Sequence, residues 1–445
     1  MIALGRTRTS ASALLVVAAL AVVVLLAHSA PVTASRGDAA RAGAEPLTGI
    51  NLTGLGGESS VRGIAGAVAK AHAVGARVVR SGVAWASLEP TVGAAANGAA
   101  LAGLDRLVGD AAADGMRVVL EVDSTPCWAS SAPAHILRAC VPGKASRANA
   151  WPPRDPANYA SFVASLAQRY KGELAAIEIW NEPDQANQDY FAGSDKPARY
   201  AEILRAAYPA IKRVDPALPV LAGSIVGSDG SFLKALYAAG IKGSYDGLAV
   251  HFYVQTLAKL REIHEVQLAN GDHTPLWLDE FGWSNCYPAV KLEQEQPCVT
   301  TAVQAQDLYE VVQAIRQAPY VAAAIVYKLQ DSRGEEFGVV STSGRTKPAF
   351  SSLRSAFEHP SSEGRVVLHL RRSGGAILAS GTAPPADFVA LEASVSGILR
   401  YRAFFYLDRW NRFAVRLPAV LGTSNISVSV YQYWAGPGHA TSAAI

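Results

Sequence analysis

The chain carries little charge. Only 17% of its 445 residues are Asp, Glu, Lys or Arg, and the formal balance is +3. Loss of Arg6 and Arg8 with the leader described below would bring that to +1. So small an excess argues against nucleic acid as a partner. No glycine-rich phosphate loop follows the first candidate strand, and a tight turn accounts for Gly54-Leu-Gly-Gly57. No His-x-His or clustered carboxylate set ends the candidate strands, which leaves a metal-dependent barrel hydrolase without ligands. There are only four cysteines, in two couples, Cys127 with Cys140 and Cys286 with Cys298. Neither couple has the tight spacing of a zinc site, and no His follows at ligand distance. We therefore expect neither a metal nor an organic cofactor. Internal repeats and low-complexity tracts are also missing from the mature chain.

Half of the residues are hydrophobic, enough to bury a sizeable core in one large domain plus an accessory module. At the N-terminus, Arg6 and Arg8 precede the apolar run Ala13–Ala27. That run suits a signal peptide and falls short of the roughly 20 residues a membrane helix needs. Cleavage is expected after Ala34 or Ser29; the alternative is an uncleaved anchor. Either way the folded part lies outside the cytoplasm, secreted or held at the membrane by the leader alone. An even cysteine count in an exported chain favours disulfides, here Cys127–Cys140 and Cys286–Cys298.

Residues 35–46, small and polar, read as a linker after the 1–34 signal peptide. Eight short apolar runs then alternate with amphipathic stretches over 47–360. The candidate strands are Gly49–Leu52, Arg77–Ser81, Arg117–Val122, Ala175–Asn181, Val220–Gly223, Gly247–His251, Leu276–Glu280 and Ala322–Tyr327. Asp155–Pro156 is a helix start, with Tyr159, Phe162, Val163, Leu166 and Tyr170 on one face. Leu257, Leu260 and Ile263 repeat in the same way, as do Val303, Leu308, Val311, Val312 and Ile315, and then Phe350, Leu353 and Phe357. The pattern predicts an α/β fold, a (β/α)8 TIM barrel. Over 364–445 the rhythm changes to close-set runs rich in Val, Phe and Tyr: Val366–Leu370, Ala376–Ser380, Phe388–Glu392, Tyr401–Leu407, Phe413–Leu417 and Ile426–Tyr431. These predict a small antiparallel β-sandwich packed against the barrel, on which Trp410, Tyr433 and Trp434 could form a sugar platform.

The stretch with most chemistry is Ala175–Asp184, Ala-Ala-Ile-Glu-Ile-Trp-Asn-Glu-Pro-Asp. It reads as a buried strand stopped by Pro183, with Asn181 and Glu182 at its carboxyl end, where barrel sites are built. A second such strand, Pro275–Trp283, places Glu280 at its end. A single Glu at a strand end is more often a cap or a solvated residue. Two of them flanked by Trp fit the carboxyl pair that cleaves a glycosidic bond, one protonating the leaving oxygen and one opposite it. His251 and Tyr253 share a parity at the end of the sixth strand, where a Tyr hydroxyl would hold a nucleophilic carboxylate. Arg80 ends the second strand, where it would keep a neighbouring carboxylate ionised or form a salt bridge lower down with Glu178. Trp277, of opposite parity to Glu280, reads as packing beneath the helices. Trp85, Trp128 and Trp283 follow strand ends and are candidates for sugar stacking. The segments 123–155 and 281–300, each pinned by an expected disulfide, would form the cleft walls.

Ile-Glu-Ile-Trp-Asn-Glu-Pro (177–183) resembles the acid/base strand of the clan A glycoside hydrolases, and Leu-Asp-Glu-Phe-Gly-Trp (278–283) resembles their nucleophile strand. Further matches are residues 78–90, Ser-Thr-Pro-Cys-Trp-Ala (124–129), His-Phe-Tyr (251–253), Tyr-Lys-Leu-Gln-Asp (327–331) and Phe-Gly-Val-Val with Lys-Pro-Ala-Phe (337–350). Together they are similar to families 39 and 5, which include bacterial enzymes that trim exopolysaccharide, over about 49–358 and in barrel order. The resemblance implies Glu182 as general acid/base and Glu280 as the nucleophile of a retaining mechanism. It implies Asn181 on the sugar 2-hydroxyl, Arg80 and Tyr253 positioning Glu280, and His251 lining the same subsite. Tyr327 stands where many family 5 enzymes carry a Trp platform, which weakens a cellulase reading. The expected substrate is a polysaccharide or oligosaccharide, and the expected state a monomer with no membrane partner unless the leader is retained. The rival is a carbohydrate-binding or cell-wall scaffold protein that keeps the barrel without turnover.

Overall fold

The computed structural model describes residues 45–445 except 53–60, 94–96, 254–255, 286–297, 317, 360–365, 374, 384–388, 406, 408–411, 422–424 and 433–439. The leader, Cys286, Trp410, Tyr433 and Trp434 lie outside the described residues. Eight parallel strands close into a barrel in chain order. They are β1 (Leu47–Asn51), β2 (Val78–Ala84), β3 (Arg117–Asp123), β4 (Leu174–Ile179), β5 (Val220–Ile225), β6 (Gly247–His251), β7 (Leu276–Phe281) and β8 (Val321–Val326). Helices follow the strands on the outside. The one at Pro156–Arg169 starts where Asp155 accepts a hydrogen bond from the Ala157 N–H, and Pro156 supplies a first position with no N–H to satisfy. It buries Tyr159, Phe162, Val163 and Leu166. Val303, by contrast, is 40% exposed on its helix, Thr301–Ile315, outside the buried stripe of Leu308, Val311, Val312 and Ile315. Among the described residues, no helix is long and apolar enough to cross a membrane.

Alternation along each strand sorts the core into two parts. Ile50, Val79, Val118, Leu120, Ile177, Ile179, Leu276 and Leu278 join the helices in one large cluster. Side chains of the other parity, among them Val78, Val119, Ala176, Leu221, Ala249, Trp277 and Ala323, form a second cluster inside the barrel. Trp277 is thus an interior residue, 5% exposed, and not a packing residue beneath the helices. The reason lies in β7. Val250 pairs with Leu278 but His251 pairs with Glu280, so one residue is extra on β7. That bulge breaks the alternation on which the parity reading rested. It also lets two consecutive carboxyl groups, Asp279 and Glu280, contact the same interior arginine.

After the barrel come β9 (Val367–Ser373), β10 (Ala376–Thr382), β11 (Val389–Val395), β12 (Ile398–Phe405), β13 (Arg412–Arg416), β14 (Ile426–Gln432) and β15 (Thr441–Ala444). They form two antiparallel sheets, ordered β13-β10-β9 and β12-β11-β14-β15. Between these lies a core of their own, including Ile377, Ala379, Leu391, Phe413, Val428 and Val430. The last strand was not legible in the sequence. Thr-Ser-Ala-Ala has no apolar alternation, and its place comes from pairing with Ser427–Val430 of β14.

Candidate active site

β4 ends at Ile179, two residues before the sequence pattern placed it, because Trp180 takes φ +76°. Glu182 is also left-handed, at φ +47°. Such a conformation persists in a non-glycine residue only where the surroundings hold it. The buried Trp180 indole is held by its N–H, which donates to the Tyr190 carbonyl, and by an edge contact with Phe191. Asp184 accepts from the backbone N–H groups of Val226 and Gly227 and ties the turn to the loop after β5. Glu182 is thereby brought back over the barrel mouth.

Arg80 is 1% exposed and sits at the centre. Its Nε and Nη2 each donate to Glu178 at 2.8 Å, a bidentate fork. Nη1 donates to Glu280 Oε1 at 2.7 Å, Nη2 also reaches Asn181 at 3.0 Å, and Nε stands 3.1 Å from Asp279. The two sequence readings of Arg80, a salt bridge to Glu178 and a partner for the strand-end carboxylate, are therefore both realised by one side chain. Glu280 receives two further hydrogen bonds, from Asn51 Nδ2 at 3.2 Å and from the Tyr253 hydroxyl at 2.5 Å. The Tyr253 ring packs edge-on against Tyr327 and Phe337. Glu182 is held by different groups: His251 Nδ1 at 2.8 Å and Gln185 Nε2 at 2.9 Å. His251 also lies 3.6 Å from Glu280 and 3.7 Å from Asp279.

Burial lowers the proton affinity of Arg80, but Glu178, Asp279 and Glu280 outweigh it and hold the guanidinium charged. Burial likewise opposes a charged His251, and the carboxylates Glu280, Asp279 and Glu182 overcome it, raising its pKa well above the usual histidine value. Glu182 is raised by burial and lowered more by the hydrogen bond and charge of His251, with a net downward shift. Both shifts favour a proton on His251, one hydrogen bond from Glu182. Burial lifts the Glu178 carboxyl to about 7 against the Arg80 guanidinium, with Asp279 adding to the rise. Glu121, with one oxygen unpartnered, is pushed well up by burial and by Asp123. Two sets, Glu182–His251–Glu280 and Glu178–His251–Asp279, could each offer three ligand atoms within 4.8 Å of one another. A guanidinium already engages Glu178, Asp279 and Glu280 and would repel a second cation there.

Beside this centre, a cavity of about 370 Å3 opens between the loops after β2, β3 and β4, lined by Asp123, Ser124, Asn149, Trp151 and Tyr190. Much of its wall comes from 123–155, one of the two expected cleft segments, which Cys127–Cys140 cross-links. Cys298 is also disulfide-bonded. Its expected partner, Cys286, lies outside the described residues. The Tyr190 hydroxyl is pushed up to about 12 by burial, with Glu182, Glu280 and Glu335 adding to the rise.

Of the tryptophans chosen from strand-end position, Trp85 and Trp128 are turned to other partners, and Trp283 is partly buried just past β7. Trp85 is fully buried, stacked on Phe162, with its N–H on Glu89, and offers no face to a sugar. It starts the short helix Trp85–Leu88, which turns the ring into the helix layer. Trp128 donates to the Glu89 carbonyl and lines a separate cavity beside Asn158 and Phe162. Trp283 packs against the barrel–helix core. Trp151 and Tyr190, the aromatic residues at the cavity, sit in loops without periodicity and carried no signal in the sequence. Asn51, Glu178 and Asp279 did carry one, as polar residues inside apolar runs.

Asp123 yields a stability test. Burial lifts its carboxyl to about 6, while Ser124 and Arg80 pull it down. An unfolded Asp has a pKa near 3.9. The proton bound more tightly by the folded state thus confers stability below about pH 4, and this is lost as pH rises through about 6. Asp123→Asn is expected to gain roughly 1–2 kcal/mol relative to wild type between pH 4 and 7. Unfolding midpoints of the two proteins that stay parallel over that range would refute it.

The cellulase family model, glycosyl hydrolase family 5, matches residues 38–311. A comparison with curated proteins finds no match. Among solved structures, the chain is similar to a family 39 glycoside hydrolase from Bacteroides cellulosilyticus WH2, at 14% identity and a TM-score of 0.55, over 86% of this chain and 80% of that one. It is similar to a family 39 β-xylosidase from Caulobacter crescentus at 18% identity and a TM-score of 0.54, over 88% and 97%. A family 5 enzyme from Streptomyces cattleya, solved with GlcNAc, aligns at 18% identity and a TM-score of 0.53, over 72% and 82%. At these identities the likeness is one of fold. The family match runs through more than half of the sequence and spans both carboxylate-bearing strands, β4 and β7, and the chain belongs to glycosyl hydrolase family 5.

Proposed function

We propose that this glycosidase is an exported retaining enzyme that cleaves a polysaccharide or oligosaccharide by double displacement. The observation that carries the reading is the carboxyl pair: oxygens of Glu182 and Glu280 lie within 4.8 Å of one another. Retaining enzymes hold the two groups about 5–5.5 Å apart, whereas inverting ones leave about 6.5–9.5 Å for a water between them. The unequal surroundings support distinct roles. Glu280, gripped by Arg80, Asn51 and Tyr253, is the group held in place, and it attacks the anomeric carbon. Glu182, on His251 and Gln185, is the group with a proton at hand. It protonates the leaving oxygen, then takes a proton from the water that releases the sugar from Glu280. Asn181, whose carbonyl oxygen is fixed by Arg80, keeps its amide donor for the sugar 2-hydroxyl.

The cavity with Trp151 and Tyr190 supports a substrate longer than one sugar. The structural relatives include a β-xylosidase, which supports β-linked glycans as the class to screen. Export rests on the N-terminal apolar run and on cysteines that are disulfide-bonded.

Leaving-group dependence tests the role of Glu182. An alkyl or sugar leaving group needs its proton, and Glu182→Gln is expected to slow its departure by about 10²–10⁴-fold. A dinitrophenyl leaving group needs none, so its first-step burst is expected to survive while steady turnover falls. Equal losses on both substrate types would reject Glu182 as the acid.

A further inference from the structure

Charge is divided unevenly along the chain. Residues 364–445 hold eight arginines, no lysine and three acidic residues, a net +5, whereas the whole chain carries +3. The sandwich is thus the basic part of a molecule whose remainder is slightly acidic. Its arginines also have a place. In the sheet β13-β10-β9, Ile377, Ala379 and Phe413 turn to the core, and the alternate residues form the outer face. The registers give that face three rows. Leu378 of the central strand stands between Arg371 and Arg416, Ser380 between His369 and Ala414, and Thr382 between Val367 and Arg412. Arg371, His369, Arg412 and Arg416 are all exposed. β9, β10 and β13 contain no Asp or Glu. The acidic residue that the described part of the sandwich does contain, Glu392, lies on the other sheet and pairs there with Arg402.

From this we infer that the outer face of β9, β10 and β13 is a docking surface for an anionic polysaccharide, one bearing carboxylates along its length. Arg371 and Arg416 flank Leu378 two strand spacings apart, about 10 Å; Arg412, four residues along β13, already has a partner and is not one of the docking groups. The small side chains Ser380, Ala414 and Thr382 leave a shallow floor between the cations. Leu378 offers an apolar spot for a sugar face. Guanidinium forks match carboxylates two hydrogen bonds at a time, which a run of lysines would not. An extended chain that meets several such sites at once gains more than any single exposed ion pair provides. The choice of a glycan over other polyanions rests on the glycosidase reading of the barrel to which the sandwich is attached. The docked chain would hold the enzyme on its matrix, whether or not it is the chain that is cut.

Affinity electrophoresis of the full-length protein tests this, with polygalacturonate in the gel as the acidic glycan and hydroxyethylcellulose as the neutral control. Wild type is expected to be retarded by polygalacturonate alone, and less so as salt rises. Arg371→Ser/Arg416→Ser is expected to weaken binding at least about 10-fold, while Arg371→Lys/Arg416→Lys keeps part of it. Turnover of a small aryl glycoside should be the same in all three proteins. Because that assay is independent of the gel, a failed docking proposal and a failed catalytic reading are told apart. Equal retardation of wild type and the serine variant would overturn the proposal, as would no retardation of wild type at low salt. Tighter retention by anionic phospholipid vesicles or DNA than by polygalacturonate would overturn the choice of partner.

Discussion

Replacing Glu280 with Ala is expected to lower kcat/KM for an aryl glycoside by at least ~10³-fold while leaving the protein folded. The fold should survive because Arg80 keeps its bidentate partner, Glu178, and its contact with Asp279 when Glu280 is gone. What disappears is the atom that bonds the anomeric carbon. The truncated side chain leaves room for a small anion, and azide is expected to restore turnover of an activated glycoside. Azide would then occupy the position of Glu280 and attack directly, so the glycosyl azide should have the opposite anomeric configuration to the substrate. Azide acting on Glu182→Ala should give the other result. There the glycosyl–enzyme on Glu280 still forms from an activated substrate, and azide, needing no base, opens it with net retention. Product stereochemistry by NMR reads both. Retained configuration from the Glu280 variant, or full activity without added anion, would remove Glu280 from the nucleophile role.

Much of the frame was legible because a parallel barrel writes each strand as an apolar run with polar residues at one end. All eight runs correspond to strands, and β6 was bounded correctly at both ends, Gly247–His251. The carboxyl-end rule then selected Glu182, Glu280 and His251; it also picked Arg80, although β2 runs on to Ala84 and Arg80 is its third residue, not its end. The structure brings these four together. It was less informative about where each side chain points. Trp85 satisfies the rule by position, yet the helix it begins turns its ring inward against Phe162. Trp277 was misplaced because parity is a local property, and a bulge at Asp279–Glu280 resets it. Contacts from loops, such as Gln185 on Glu182, depend on a turn whose shape comes from Trp180 at φ +76°, a tertiary effect with no periodic signature. Trp151 and Tyr190 belong to the same class. The sandwich was legible as a run of short strands, but the arginine-rich face needed the register, which aligns residues far apart in sequence across β10.

The second large effect is expected at Arg80, and on stability as well as activity. Arg80→Met would leave Glu178, Asp279 and Glu280 buried together with only His251, 3.6 Å from Glu280 and 3.7 Å from Asp279, to offset them; the first two are 0% exposed and the third 7%. Removing one partner of a buried ion pair typically costs 3–5 kcal/mol, because the desolvated charge remains. That is a large share of the roughly 5–15 kcal/mol that holds a domain together. The cost should depend on pH with a definite sign. Without the guanidinium, the three carboxyls would have pKa values raised above those of the unfolded chain. Their protonated forms fit the apolar interior, so the variant would regain stability near pH 4 and lose it as pH rises through neutrality. Wild type and Arg80→Met should therefore converge at acid pH in urea unfolding. Adding Glu178→Gln to the variant should recover part of the loss at pH 7, since it removes one of the stranded charges. A loss below about 1 kcal/mol at pH 7, in the range of an exposed surface pair, would mean that solvent reaches this layer. In that case Arg80 would act on Glu280 alone. A loss of the expected size, closing with acid and partly repaired by Glu178→Gln, would make one arginine responsible both for the charged floor of the barrel and for the nucleophile above it.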